Sequence, residues 1–357
     1  MLFQLQVIIL MKLIIERLVI IVSGGLECYF ISMPSLDYNL GGMANVAEIP
    51  GISNILHGII DKIIKKGFVW PNRLRFFLPL DSLKTMEDKS WMMPHPTGVL
   101  SVDILRGRNL VKMDLRGTSD PYVIAYIGRS KFNFVDKYVK TDCNPEWNYN
   151  CNFPLEEPSG HKLVLKVYDY DVNSEDDFMG EASIDVEGLI DSGENEQWIT
   201  LQEVKHGDIL IRTKWNPILI SKPVEMSSDR SILSIFIHSC ENVSSDKKSP
   251  PFTRCNVKLG NDKKGVLTSK IKGPSYSPSF KQGFVLISHN PATDNVSVSV
   301  EDHRSGAVLG QVTIQLSYII KLADTRFNNM KWYLDTGLAN SVPDECSITL
   351  SAALYSY

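Results

Sequence analysis

Five aspartates lie in two short stretches of the chain, at spacings that suit a metal site. Asp114 and Asp120 belong to LVKMDLRGTSDPYV, whereas Asp169, Asp171 and Asp177 belong to KVYDYDVNSEDDFMG. Because the stretches are far apart in sequence, only a folded chain can bring these side chains together. Clustered carboxylates repel each other unless a cation lies between them, and Ca²⁺ accepts about 6–8 oxygen ligands in irregular geometry. The pattern therefore predicts a calcium site and a reversible, ion-dependent binding function rather than catalysis.

The composition is that of an ordinary globular protein, with an uneven distribution of charge. The chain has 357 residues, of which 43% are hydrophobic and 22% charged, which favours two or three domains. Residues 97–216 carry 13 Lys+Arg against 21 Asp+Glu, whereas residues 222–357 carry 15 against 12. An acidic segment followed by a mildly basic one indicates that the two halves have different partners.

Several functional classes are not expected. The chain contains no nucleophile elbow, P-loop, HExxH or dinucleotide-binding fingerprint, so we do not predict an enzyme. No segment is strongly basic with interleaved aromatics, so nucleic-acid binding is not expected either. The six cysteines are widely spread, which predicts reduced core thiols in a cytosolic setting. They are Cys28, Cys143, Cys151, Cys240, Cys255 and Cys346.

The first eighty residues contain two apolar segments. The opening MLFQLQVIILMKLIIERLVIIV is interrupted by Lys12, Glu16 and Arg17, and its uncharged runs are shorter than the roughly 18 residues of a spanning helix. A buried strand or helix is the favoured prediction there, and a membrane anchor is the alternative. Isoleucines at helical spacing predict a helix over residues 50–67. We favour a helix packed on its own domain over a lipid-facing amphipathic helix.

The remaining chain divides into two similar segments. Residues 81–96 form a polar linker, and from residue 97 onward stretches such as GVLSVDIL and PYVIAYIG alternate apolar and polar residues, as half-buried strands do. Residues 97–216 therefore predict an antiparallel sandwich, and residues 217–228 a second linker. The pattern then repeats over residues 229–357, where SILSIFIHSCENV follows GVLSVDILRGRNL and KWYLDTG follows QWITLQE.

The first of these segments resembles a C2 domain. The resemblance is specific because it combines three separated motifs rather than one. They are Asp114 with Ser119-Asp120-Pro121-Tyr122, then Asn144-Pro145-x-Trp147-Asn148, and finally Asp169-x-Asp171-x-x-Ser174-x-x-Asp177-Phe178-x-Gly180.

The N-terminal segment is similar to the end of the lipid-binding SMP domain of the extended synaptotagmin and tricalbin family. The shared landmarks are Gly42-Met43, Ile49-Pro50-Gly51 and Trp70-Pro71-Asn72-Arg73-Leu74. The resemblance implies a mainly β chain, with two C2-type eight-stranded antiparallel β-sandwiches after a partial α+β SMP-like segment, residues 1–80. A full SMP domain would need more residues before this point, so we expect a truncated domain. It also implies glycerolipids as cargo if the SMP part is functional, and homo- or heterodimers formed through it.

The resemblance assigns roles to individual residues. It implies two to three Ca²⁺ ions in the first C2 domain, with Leu115 entering the membrane and anionic phospholipids as partners. The implied ligands are Asp114, Asp120, Asp169, Asp171, Asp177 and Ser174.

The second C2-like segment lacks most of these ligands. It has Ser249-Pro250-Pro251-Phe252 in place of the first loop and Asp302-His303-Arg304 in place of the second, so no calcium is expected there. The resemblance instead implies an anionic-lipid-binding patch, although a solvated face explains the same lysines equally well. The patch comprises Lys258, Lys263, Lys264, Lys270 and Lys272.

The functional expectation follows from this architecture. By resemblance, the chain is a calcium-dependent phospholipid-binding protein that tethers membranes at contacts between endoplasmic reticulum and plasma membrane, and is associated with lipid transfer. It would lie on the cytosolic face of these membranes, as a peripheral protein if it has no anchor. The alternative is a soluble calcium-triggered adaptor in vesicle traffic whose second C2 domain binds protein.

Overall fold

A computed structural model describes most of the C-terminal three quarters of the chain and parts of the rest. The described residues are 18–22, 26–30, 58–60, 62–64, 68, 74–76, 93–113, 119–128, 130–134, 138–140, 143–172, 174–219, 222–243, 249–260, 266–337 and 346–357. The chain forms two compact units, Met1–Glu87 and Asp88–Tyr357.

The first unit contains a small antiparallel sheet in the order β1-β2-β3. Its strands are β1 (Leu18–Val22), β2 (Leu26–Phe30) and β3 (Leu74–Phe76). Leu18 lies opposite Phe30, and Leu26 lies opposite Phe76. The end of the apolar N-terminal segment is therefore a strand, one of the two forms favoured from the sequence, while residues 1–17 lie outside the described part. No helix among the described residues is long and apolar enough to cross a bilayer.

The predicted helix over residues 50–67 is described only in part. Residues 58–60 and 62–64 are helical. Ile64 is 8% exposed, as a helix packed on its own domain requires, whereas Ile59 and Ile63 are 48% and 59% exposed. The described part of the helix therefore has both a packed side and an exposed apolar side.

The first sandwich of the second unit has eight strands in two sheets. The sheets have the orders β10-β11-β4-β7 and β6-β5-β8-β9, and all their pairings are antiparallel. The alternating burial along β7 shows the period of two that the sequence predicts. The elements are β4 (Gly98–Arg108), β5 (Pro121–Ile127), β6 (Ser130–Asn133), β7 (Glu146–Leu155), β8 (Lys162–Asp169), β9 (Asp177–Asp185), α1 (Val186–Asp191), β10 (Asn195–Thr200) and β11 (Asp208–Pro217).

The second sandwich repeats this plan strand for strand. Its sheets have the orders β15-β12-β19-β18 and β14-β13-β16-β17, which match the first sandwich once each strand is replaced by its counterpart. The internal repeat and the mainly β fold with two eight-stranded sandwiches are thus confirmed. The elements are β12 (Ser231–Glu241), β13 (Thr253–Leu259), β14 (Leu267–Thr268), β15 (Ser279–Ser288), β16 (Asn295–Asp302), β17 (Val308–Gln315), α2 (Leu316–Ile320), β18 (Arg326–Tyr333) and β19 (Ser347–Tyr355).

The segment before β4 packs on both sandwiches. The backbone N–H of Thr97 donates to the Leu155 carbonyl of the first sandwich at 2.7 Å. The Ser234 hydroxyl of the second sandwich donates to the Pro94 carbonyl at 2.6 Å, and the Pro94 ring lies where a Cβ of Gly283 would be. Met93 is buried in a small cluster with residues of β12 and β19. The last residues of the predicted linker 81–96 are therefore ordered against the second sandwich.

Four of the six cysteines lie in or against the cores of the two sandwiches, namely Cys151, Cys240, Cys255 and Cys346. All six are free, and Cys151, Cys240 and Cys255 are buried. Burial raises the pKa of the Cys151 thiol, so it stays protonated and apolar in character at neutral pH. Burial also raises the pKa of Cys346 to about 11.

Candidate metal site at the loop end of the first sandwich

Three neighbouring strands bring the predicted aspartates to one edge of the first sandwich. β8 ends at Asp169 and β9 begins at Asp177, and these two residues are paired across the strands. Pro121, the first residue of β5, pairs with Asp169 on its other side, so Asp120 is adjacent. Since neighbouring strands lie about 4.8 Å apart, carboxylates from both sequence stretches share this edge. We call this edge the loop end; its described residues are 109–113, 119–120, 170–172 and 174–176.

Backbone hydrogen bonds tie the two loops of the loop end together. The Asp120 N–H donates to Asp169 Oδ1 at 2.6 Å, and the Tyr170 N–H donates to the Asp120 carbonyl at 3.0 Å. Asp169 is only 2% exposed, whereas Asp177 is exposed. A buried carboxylate beside other carboxylates is costly unless positive charge compensates it. This edge therefore favours a bound cation.

A further aspartate, absent from the predicted ligand set, accepts hydrogen bonds that stabilise the loop between β8 and β9. Asp176 accepts a hydrogen bond from the Tyr122 hydroxyl at 2.6 Å and another from the Asp171 N–H at 3.0 Å. Burial raises the pKa of Tyr122 and the bond to Asp176 raises it further, so the hydroxyl stays protonated and donates. Asp176 thus fixes the start of the loop, while its neighbour Asp177 presents an exposed carboxylate.

Hydrogen bonds from the motif around Trp147 hold the two ends of the loop between β4 and β5. The indole N–H of Trp147, on β7, donates to the Pro121 carbonyl at 3.0 Å, where the loop enters β5. Asn144 Oδ1 accepts a hydrogen bond from the Asn109 N–H at 2.9 Å, where the chain leaves β4. Residues of one short motif therefore fix both flanks of the loop that carries Asp114 and Asp120. This accounts for the pattern Asn144-Pro145-x-Trp147 by hydrogen bonding.

The tip of the loop between β8 and β9 presents an apolar side chain that was not predicted to contact the membrane. Val172 is 79% exposed, between Asp171 and the exposed Ser174. Leu115, the predicted membrane-inserting residue, and Asp114 lie outside the described residues. In the sequence, the position of Val172 between the predicted ligands Asp171 and Ser174 could have indicated an apolar side chain at the loop tip.

The donor set fits calcium chemistry, although an ion-binding geometry is not formed by the described side chains. Asp120, Asp169, Asp171 and Asp177 lie at the loop end and offer only oxygen donors, as a hard cation prefers. Among the residues that the structure describes, no three acidic, histidine or cysteine side chains are close enough to hold a metal. Calcium coordination by this set stays a prediction.

The corresponding end of the second sandwich has a different chemistry. Asp302 ends β16 as Asp169 ends β8, and it is 3% exposed. Its carboxylate accepts hydrogen bonds from the Arg304 N–H at 3.1 Å and the Ser305 hydroxyl at 2.9 Å. The guanidinium carbon of Arg304 lies 3.8 Å from the centre of the Phe252 ring. A cationic side chain therefore occupies the loop that carries carboxylates in the first sandwich.

The described members of the predicted lysine patch are spread along the second sandwich. Lys258 lies opposite Ser297 on β16, whereas the Lys272 N–H donates to the Thr253 carbonyl at 2.8 Å at the start of β13. Thr253 and Lys258 are about 17 Å apart along the strand at the usual rise per residue. Lys270 is exposed beside Lys272, and Lys263 and Lys264 lie outside the described residues.

Comparison with known protein families identifies both sandwiches. The C2 domain model matches residues 98–201 and 231–334. The chain belongs to the C2-domain family. Its two C2 domains are therefore tandem copies of one module, as the internal repeat predicts.

The curated relatives confirm the resemblance to extended synaptotagmins. Extended synaptotagmin-2 of Mus musculus is 27% identical over 356 residues, which cover 93% of this chain and 41% of that protein. Extended synaptotagmin-3 of Homo sapiens is 28% identical over 329 residues, which cover 84% of this chain and 36% of that protein. The chain thus spans about two fifths of the length of such relatives.

Solved structures of extended synaptotagmin-2 share the fold. A structure of its SMP domain with two C2 domains matches with a TM-score of 0.57 at 24% identity, covering 93% of this chain and 72% of that one. A calcium-bound structure of the same two C2 domains matches with a TM-score of 0.55 at 24% identity, covering 73% and 97%. At 24% identity, this structural similarity shows that the fold is shared.

Proposed function

We propose that the first C2 domain binds Ca²⁺ at its loop end and thereby attaches the protein to anionic phospholipid membranes. The observation that carries this proposal is the pairing of Asp169 with Asp177 and its hydrogen bond from Asp120, which gathers distant carboxylates at one edge. The calcium-bound structure of the similar tandem C2 domains supports the choice of ion.

The residues of the loop end have separate tasks in this proposal. The carboxylates of Asp114, Asp120, Asp169, Asp171 and Asp177, with the Ser174 hydroxyl, hold the ions, two to three by family resemblance. Bound Ca²⁺ supplies positive charge and vacant coordination positions that suit lipid phosphate oxygens. Asp176 and Tyr122 hold the second loop in place. Val172, with Leu115 in the first loop, presents apolar surface to the membrane.

For the whole protein we propose the role suggested by its relatives. A protein of extended-synaptotagmin type would tether membranes at contacts between endoplasmic reticulum and plasma membrane and take part in lipid transport. The SMP-like segment would contact glycerolipids and form the homo- or heterodimer, and the exposed Ile59 and Ile63 offer apolar surface for acyl chains. These are roles of the full-length relatives, and this chain spans about two fifths of their length.

Vesicle sedimentation tests the calcium proposal directly. The chain is mixed with vesicles of phosphatidylcholine and phosphatidylserine, in Ca²⁺ or in chelator, beside the Asp169→Asn/Asp171→Asn variant. We expect Ca²⁺ to increase binding of the unaltered chain and to leave binding of the variant unchanged. Equal calcium-stimulated binding of both proteins would contradict the proposal.

A charge-matched variant and a direct titration complete this experiment. Glu187→Gln/Asp191→Asn removes the same charge from α1, at the opposite end of β9 from Asp177, and should keep the calcium response. Calorimetric titration with Ca²⁺ should give heat with the chain and with this control, but not with Asp169→Asn/Asp171→Asn. A titration without heat for the unaltered chain would refute calcium binding itself.

A further inference from the structure

The loop end of the second C2 domain, of which residues 242–243, 249–252, 269–278 and 303–307 are described, differs from that of the first by a coordinated exchange. In the first domain Asp120 directly precedes β5 and Asp171 lies two residues after Asp169, the last residue of β8. In the second domain Phe252 directly precedes β13, as Asp120 precedes β5, and its ring lies 3.8 Å from the guanidinium carbon of Arg304. The positions of two predicted carboxylate ligands, Asp120 and Asp171, therefore hold in the second domain an aromatic ring, Phe252, paired with a cation, Arg304. The second domain thus has a cation of its own at this end.

The charge of Arg304 remains available at the surface. Arg304 is exposed, and within the described part of the chain it forms no ion pair. Of the two carboxylates that precede it closely in sequence, Glu301 pairs with Arg254 at 3.0 Å, and the buried Asp302 accepts hydrogen bonds from the Arg304 backbone N–H and the Ser305 hydroxyl. Stacking on Phe252 holds the guanidinium plane without neutralising it.

Further cations lie beside Arg304 on the neighbouring segment. The Lys272 N–H donates to the Thr253 carbonyl, and Thr253 pairs with Asp302, so these segments run side by side. Three such segments span about 10 Å at ordinary strand spacing. Lys270 is exposed on the same segment, and neither lysine forms an ion pair with a described carboxylate. The described part of this loop end therefore carries excess positive charge.

Apolar side chains project from the same loop end. Ile271 lies between the two lysines and is 48% exposed, and Tyr276 in the same loop is 43% exposed. Val308, which follows the loop of Arg304, is 53% exposed. Exposed apolar side chains flanked by cations are the combination by which peripheral proteins contact an anionic bilayer, through burial in the interface and attraction to lipid phosphates.

We propose that the loop end of the second C2 domain is a calcium-independent contact for an anionic lipid bilayer. Arg304 meets lipid phosphates in it, supported by Lys270 and Lys272, while Ile271 and Tyr276 enter the interface. The contact differs from the predicted lysine patch because it excludes Lys258 and centres on Arg304. It goes beyond the calcium site of the first domain, so the two proposals can fail separately.

The test measures vesicle binding in chelator, where calcium cannot contribute. The full chain is sedimented with vesicles of phosphatidylcholine alone and of phosphatidylcholine with phosphatidylserine. We expect binding to the anionic vesicles only, weakening as salt is raised. Arg304→Gln should weaken it about fivefold and Arg304→Lys much less, since one basic residue near an anionic surface contributes about 1 kcal/mol. Arg326→Gln, on β18 away from this end, is the charge-matched control.

Apolar variants distinguish a bilayer contact from a site for soluble anions. Ile271→Ser should weaken binding in chelator about tenfold, whereas Val266→Ser, at the residue just before β14, should not. Thermal unfolding of each variant shows that the domain stays folded. Loss of binding in Arg304→Gln with full binding in Ile271→Ser would overturn the bilayer contact in favour of a phosphate site. Absence of binding in chelator, or equal binding by Arg304→Gln and the unaltered chain, would also overturn it.

Discussion

At the scale of residues, adjacent aspartates in the first C2 domain have different roles. Asp176 is held by Tyr122 and by the Asp171 backbone, whereas Asp177 begins β9 and is exposed at the loop end. The sequence shows only a pair of identical side chains. Their roles separate because successive residues of an extended chain point to opposite faces, so one carboxylate supports the loop and the other is available to an ion.

Val172 gives a prediction at this scale. Its side chain is 79% exposed at the tip of the second loop. Val172→Ser should weaken calcium-dependent vesicle binding about tenfold, because burial of one such side chain contributes about 1.5 kcal/mol or more. Calcium titration should be unchanged, since Val172 offers no ligand. Met226→Ser, which alters another exposed apolar residue in the segment between the domains, is the control. Unchanged vesicle binding by Val172→Ser would exclude membrane entry at this position.

At the scale of elements, β9 depends on one glycine near its start. Gly180 has φ +117°, which side chains rarely adopt, and an added Cβ would lie 2.7 Å from Val204 Cγ2. It follows an irregularity in the pairing of β8 with β9 between Val167 and Tyr168. The glycine of the C2 motif is thus required by the backbone beside the loop end.

Gly180→Ala should accordingly destabilise the first C2 domain. We expect a loss of about 1–3 kcal/mol in the free energy of unfolding, from backbone strain and the contact with Val204, measured by chemical denaturation. Gly193→Ala is the matched control, because Gly193 also has a positive φ, +73°, but nothing within 4 Å of an added Cβ. Equal destabilisation by the two variants would show that the Val204 contact contributes little.

The strands and the repeat could be predicted from the sequence because alternation of apolar residues is a local signal. The alternation in PYVIAYIG is sufficient to predict β5, and the same pattern in both segments predicts two copies of one fold. The aspartate spacing likewise predicts that Asp169 and Asp177 meet. The stacking of Arg304 on Phe252 and the support from Asp176 could not be predicted, since they depend on where side chains from separate loops point.

At the scale of the whole molecule, the second unit joins its two C2 domains through the segment before β4. Met93 and Pro94 pack on β12, β15 and β19, while Thr97 bonds to β7 of the first domain. A second connection runs from the Leu219 N–H to the Ser356 carbonyl at 2.9 Å, after β11. The domains are therefore connected by packing and hydrogen bonds as well as by the covalent linker.

Gly283→Ala tests this arrangement. An added Cβ would occupy the position of the Pro94 ring, so the segment should leave β15 and the domains should move more independently. Limited proteolysis should then cut near residues 93–97 faster, and thermal unfolding should separate into two transitions. Gly273→Ala, where an added Cβ meets nothing within 4 Å, should behave like the unaltered chain. Unchanged proteolysis in Gly283→Ala would show that Pro94 does not hold the domains together.

The contact between Pro94 and the second C2 domain also determines how the chain transmits mechanical force. Tension applied through the residues before Met93 reaches the Ser234–Pro94 hydrogen bond and the Gly283 contact before it reaches β4. The second domain therefore bears the load first, and the first domain, with its candidate calcium site, is shielded until that contact breaks. Under such tension the contact of Pro94 with the second domain would have to break before β4 carries force.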